Sequence, residues 1–157
     1  MSVALRPLED GDIAWLDVWL GAIAGSVGYA TAGERPGDWL RRRLHRERRL
    51  HVDVIERDGR AAGVAVYRAG APRGNAAMIE LVATPPSEAR RGAGMAASAL
   101  VEELLRVEGM RTVYAPAPAV HGIDVYFWIR LGYRPLPRSE WPCEIDGVVW
   151  LRRDLSV

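Results

Sequence analysis

The sequence predicts an α/β (α+β) fold: a mixed, mostly antiparallel central sheet of about seven strands with about four helices on its faces. Three observations predict it. Hydrophobic spacing is helical from Ile13, switches to a period of two after Leu50, and turns helical again after Gly92. The strand-like segments of residues 50–84 follow one another across short turns and read as hairpins. A single strand–helix–strand unit comes after them, which makes the sheet mixed.

The elements follow in order. "VALRPLEDGD" reads as a short strand and a turn, with Asp10 or Asp12 able to cap the next helix. Ile13, Leu16, Leu20 and Ile23 recur at helical spacing to about residue 24, with Trp15 and Trp19 alongside. "GSVGYATAGERPG" then breaks regularity with four glycines and a proline, and a second helix, "DWLRRRLHRERR", begins near Asp38. In that helix Leu40 and Leu44 face inward, with His51 a further candidate, and the arginines of residues 41–49 face water. Such a run is first a solvated face and second a patch for an acidic substrate; one basic helix is a poor nucleic-acid footprint. "LHVDVIERDG" alternates Val52 and Val54 against His51 and Asp53, "AAGVAVYRAG" is its hairpin partner, and "AAMIELVAT" is a third strand. A helix covers Ala93–Val107 and ends at Gly109 in the C′ position. "RTVYAPA" is a strand in which Pro116 and Pro118 cannot donate ladder hydrogen bonds. "GIDVYFWIRLGY" is a short helix closed by Gly132, and two strands, residues 134–144 and Val148–Asp154, meet at "IDG". The order is β-α-α-β-β-β-α-β-α-β-β, without repeat or linker, so residues 1–157 read as one domain.

Composition removes several function classes. A net charge of +1 provides no global field for nucleic acid or a membrane surface. All 21 basic residues are arginine, so lysine chemistry is excluded. Cys143 is the only cysteine, which excludes an internal disulfide and a multi-cysteine metal site; after Pro142 it reads as a buried small side chain. The three histidines lack metal-ligand spacing, and no metal is expected. Charge at Arg6 argues against a signal peptide, and no apolar stretch is long enough to span a bilayer. A soluble cytoplasmic protein is expected.

The loop "ATPPSEARRGAG" leads from a strand into a helix N-terminus. Amides there lack intrahelical partners, and the helix dipole adds partial positive charge. Glycine in a helix costs about 1 kcal/mol against alanine, so its presence needs a reason. Either bare backbone must approach an anion such as phosphate, with Arg90 and Arg91 beside it, or the glycines serve packing alone. The loop lacks the Gly-Lys-Ser/Thr ending of a P-loop, and Ala97 stands where G-x-G-x-x-G needs its third glycine.

These residues resemble the GNAT superfamily of acyl-CoA-dependent N-acyltransferases, whose hallmark is Gln/Arg-x-x-Gly-x-Gly/Ala at the start of the central helix. Ala89-Arg90-Arg91-Gly92-Ala93-Gly94 keeps both glycines but begins with alanine; Arg91-Gly92-Ala93-Gly94-Met95-Ala96 satisfies the pattern two residues later. The distance from Gly92 to Gly109 matches the family's helix and favours the first register. "MIELVATPP" resembles the family's fourth strand and "FWIRLGYRPL" its closing segment, so the specific motifs lie within residues 78–133.

The resemblance implies that acyl-CoA pyrophosphate lies on the amides of Arg90, Arg91, Gly92, Ala93, Gly94 and Met95. The pantetheine arm then pairs with Val82, Ala83 and Thr84, where weak pairing at the prolines lets the sheet splay. His121 stands where many members have asparagine and is a candidate contact to CoA. Amides near Val82 would polarise the thioester carbonyl. Glu80 is a candidate general base, its pKa raised by burial in "MIELVA"; otherwise it is a strand glutamate facing water or an arginine. Trp128 replaces the family's usual tyrosine acid, and Tyr126, about 200° round the helix, is a weak candidate for that role. The family places "GSVGYATAGERPG" and "PRSEWPCEIDG" across the acceptor cleft, where Tyr29, Trp39 and Trp141 wall the pocket or belong to the core. The expected activity is transfer of acetyl from acetyl-CoA to an amine by direct attack in a ternary complex. A small-molecule amine is favoured over a protein, and there is room for a homodimer through the tail strands. The alternative is a non-catalytic acyl-CoA-binding module of the same fold.

Overall fold

A computed structural model describes residues 1–23, 33–120 and 122–155. Along the chain lie β1 (Val3–Pro7), α1 (Ile13–Ile23), α2 (Pro36–Arg46), β2 (Leu50–Arg57), β3 (Arg60–Ala69), β4 (Ala76–Ala83), α3 (Ala93–Val107), β5 (Thr112–Pro118), α4 (Gly122–Arg130), β6 (Arg134–Pro135) and β7 (Val148–Asp154). This is the element order expected from the sequence. The strands form one seven-stranded sheet, β1-β2-β3-β4-β5-β7-β6, antiparallel at every step except β4–β5.

Each sheet face is covered by helices. Ala93, Ala97, Val101 and Leu105 form the buried stripe of α3 and pack on Ile55, Tyr67, Ile79 and Leu151, with Trp128 and Tyr133 completing that layer. Two small residues one turn apart bring the first turns of α3 close to the sheet. Leu16, Leu20 and Leu40 of α1 and α2 cover Val52, Val64, Val66 and Leu81 on the other face. Beyond them, Met78, Tyr114 and Trp150 lie beneath Leu136 and Trp141. Among the described residues no helix is long and apolar enough to cross a membrane.

A buried polar cluster fastens the tail to α3. Glu102 is 4% exposed, accepts from Tyr133 Oη at 3.1 Å and pairs with Arg153 at 3.1 Å, while Arg153 also donates to the Leu131 carbonyl at 2.8 Å. Burial pushes the Glu102 carboxyl above its ordinary value despite Arg153, and burial beside Glu102 pushes the Tyr133 phenol up.

Several local expectations are corrected. Glu9, not Asp10 or Asp12, occupies the N-cap of a 3-10 turn ahead of α1; Asp12 accepts from the Glu9 amide at 2.8 Å and takes a bidentate Arg6. The second helix starts at Pro36, whose fixed φ suits a first turn, and stops at Arg46. His51 belongs to β2, and Arg43 turns inward rather than to water, with its side chain 14% exposed. Asp53 is buried as well as Val52 and Val54, because β2 is covered on both faces and Tyr67 Oη donates to Asp53 at 2.5 Å. The strand expected over residues 134–144 shrinks to two residues, since Pro135 and Pro137 cannot donate to a ladder; a 3-10 turn at Arg138–Glu140 follows. Cys143 is exposed rather than buried.

Candidate active site

β4 changes character halfway along. Ala76, Ala77 and Met78 pair with Thr112, Val113 and Tyr114 of β5, and the parallel ladder stops there. From Glu80 to Ala83, β4 is paired only with β3, while Pro116 and Pro118 follow β7 instead. The two strands diverge where the prolines remove donors, as the sequence predicts.

A bulge sits at the divergence. Tyr67 of β3 pairs with Ile79 and Val66 with Leu81, which leaves Glu80 as the extra residue. The bulge resets the alternation: Ala77 and Ile79 face α3, whereas Leu81 and Ala83 face α1 and α2. Glu80 thereby points toward α2, where Arg43 donates to both carboxylate oxygens at 2.8 and 3.1 Å. Arg43 also binds Glu47, at 2.6 and 3.0 Å, and lies over the Trp39 ring at 4.8 Å; Arg68 Nε is 3.6 Å from Glu80. The apolar run "MIELVA" therefore does not leave Glu80 in apolar surroundings, and of the two readings the sequence left open the structure shows the arginine-paired glutamate. Arg43 was missed from the sequence because its partner lies 37 residues away. The one local hint is Trp39, placed one turn earlier on the same helix.

The strand then runs to the N-terminus of α3. Gly92 holds the N-cap at φ 84°, and Arg90 is also left-handed at φ 62°. A methyl on Gly92 would lie 3.5 Å from Met1 Cε, so space is available and the backbone angle alone demands glycine. Gly94 differs. Its φ is not left-handed, and an added methyl would meet Phe127 at 3.6 Å and Val82 at 3.7 Å, ordinary contacts. Neither conformation nor collision requires glycine at 94; a side chain there would project between α3, α4 and β4.

That space is a cavity of about 750 Å³. Its walls are Glu80, Val82, Ala83 and Thr84 of the open strand, Arg90, Arg91, Gly92, Ala93, Gly94 and Met95 at the helix start, and Pro116 and Pro118 opposite. α4 contributes Tyr126, Phe127, Trp128 and Arg130. The cavity thus gathers Glu80, Tyr126 and every residue read from the sequence as a cofactor contact except His121; His121 and Tyr29 lie outside the described residues. Trp128 is 5% exposed and wedged edge-on against Phe127 and Tyr133, so it combines core and wall. Tyr126 is 60% exposed at the rim with Arg130 above its ring. Trp39 and Trp141 are half-buried core neighbours. Glu88 also lines the cavity and is held by Arg57 at 2.7 Å. Charged side chains of both signs line it: Arg90, Arg91 and Arg130 with Glu80, Glu88 and Asp124. No group of residues suited to a metal ion occurs among the described residues.

The acetyltransferase (GNAT) family model matches residues 13–133, from α1 through the end of α4. The chain belongs to the GNAT family. Solved GNAT-like structures superpose along nearly its whole length. An acetyltransferase from Thermus thermophilus gives a TM-score of 0.74 at 18% identity, with 98% of this chain and 97% of that one covered. PaiA N-acetyltransferase from Thermoplasma acidophilum, solved with coenzyme A, gives 0.74 at 13% identity over 98% and 99%. Spermidine N-acetyltransferase from Vibrio cholerae, solved with CoA and spermine, gives 0.77 at 14% identity over 98% and 95%. At such identities the likeness is one of fold. No curated protein sequence matches the chain.

Proposed function

We propose that the protein is an N-acetyltransferase that moves acetyl from acetyl-CoA to the amine of a small molecule, by direct attack within a ternary complex. The observation that carries this reading is the unpaired stretch of β4 running into a left-handed glycine at a helix start, inside one cavity in a GNAT family member. The cofactor's pyrophosphate rests on the amides of Gly92, Ala93, Gly94 and Met95, with Arg90 and Arg91 adding charge. Its pantetheine arm takes the place of the missing β5 ladder beside Val82, Ala83 and Thr84. The relatives solved with CoA support this choice of cofactor.

The chemistry follows from that pose. The acyl carbonyl oxygen accepts from a β4 amide near Val82, which stabilises the developing oxyanion. The neutral amine attacks the carbonyl carbon, the N–C bond forms, and the C–S bond then breaks to release the thiolate of CoA. The proton leaving the amine passes through water toward Glu80, which Arg43 and Arg68 hold in place at the bulge. Trp128 cannot protonate the thiolate; water does so, with Tyr126 at the rim as a secondary donor. A cytoplasmic setting is part of this proposal.

The tryptophan at position 128 favours a second reading, a module that binds acyl-CoA without transfer. Calorimetric titration with acetyl-CoA, followed by thiol release across an amine panel, separates the two. Saturable binding with amine-dependent thiol release supports the enzyme. Binding without release supports the module. No binding contradicts both.

A further inference from the structure

The loop that starts α3 carries an acidic side chain in the wall of a cavity built for an anion. Glu88 lies four residues before Gly92, lines the cavity, and its side chain is 22% exposed. A carboxylate there opposes a phosphate-bearing ligand, and no need of the loop's backbone explains it: the left-handed positions are Arg90 and Gly92. Its partner comes from the far end of β2. Arg57 donates to a single oxygen, Oε2, from Nε at 2.9 Å and from the NH2 group at 2.7 Å, across 31 residues of sequence. Arg57 is in turn 3.6 Å from Asp58, whose Oδ1 accepts from the Ser2 amide at 2.8 Å.

We propose that Arg57 is a positioning residue for the cofactor: by binding Glu88 it masks that carboxylate's charge beside the loop whose amides receive the pyrophosphate. This rests on the reading that the α3 loop is the pyrophosphate site. Both groups are only partly buried, so solvent screens the pair and the effect is moderate. With Arg57 removed, Glu88 stands as an unmasked negative charge a few residues from the phosphates. With Glu88 also neutralised, that repulsion disappears.

The test is a double-mutant cycle on acetyl-CoA binding, read by calorimetry, with Arg57→Met, Glu88→Gln and the pair. Arg57→Met weakens binding about ten-fold, Glu88→Gln binds at least as tightly as the native chain, and the pair regains most of the loss. The ten-fold loss shrinks at high salt, because screening acts on the uncovered charge. An unchanged Arg57→Met, or a pair no better than Arg57→Met alone, overturns the proposal. Should Arg57→Met not fold, Glu88→Gln decides alone, since weaker binding there means the carboxylate anchors the loop instead. Gly92→Pro serves as the separate control. If it binds normally the loop reading falls, whereas if it fails while the cycle is flat only the role of Arg57 falls.

Discussion

The two halves of β4 are built from similar residues and do different things. At Ala76–Met78 the strand is bonded on both sides and buried, and its job is cohesion. At Glu80–Ala83 one side is left without a ladder, and the same backbone groups face a cavity. Two causes lie between them: the bulge at Glu80 and the prolines of β5. The lesson is that an open edge inside a sheet needs no special side chains, only a neighbour that cannot pair.

The comparison is sharpened most severely away from both halves, in the core between the sheet and α3. Leu151 of β7 lies opposite Ala115 and is fully buried, so Leu151→Ala lowers unfolding free energy by about 2–5 kcal/mol in urea titration. Cofactor affinity of the folded fraction stays at the native level. At the open half, Gly92→Ala costs about 1–2 kcal/mol for a left-handed alanine, and cofactor affinity falls with it because the loop shifts. Gly94→Ala sharpens the contrast, since its two effects carry opposite signs. The helix gains up to about 1 kcal/mol, and cofactor affinity drops as the methyl enters the cavity. Thermal melts and calorimetry on one preparation read both.

The smallest expected effect is in the pH dependence of stability, at the buried cluster that fastens the tail to α3. Glu102 has a raised carboxyl in the native state, so native protein binds its proton more tightly than unfolded chain. Its contribution is complete below the ordinary glutamate value and is lost as pH rises through the raised one. The stability of the native chain relative to Glu102→Gln therefore falls across that window, whereas a flat difference contradicts it.

Much of this contrast was legible in the sequence. Pro116 and Pro118 announced the divergence, since a missing donor is a local property, and "ARRGAG" announced the helix start. Gly92 answers to backbone conformation and Gly94 to free space, a distinction that needed coordinates because both read alike as glycine. The partners of Glu80 and Glu88 were not legible. Arg43 reads as one member of a solvated run and Arg57 as part of the turn "RDGR"; only packing gives each its partner. Of the strand expected over residues 134–144 only Arg134–Pro135 forms, because Pro135 and Pro137 cannot donate to a ladder.

The central claim is that the open half of β4 and the start of α3 receive the cofactor while the closed half does not. Amide hydrogen exchange with and without acetyl-CoA tests it most directly. The account predicts new protection confined to residues 80–84 and 92–95, with residues 76–78 unchanged because both their neighbours already bond them. Protection spread evenly along β4, or none at the start of α3, would contradict it.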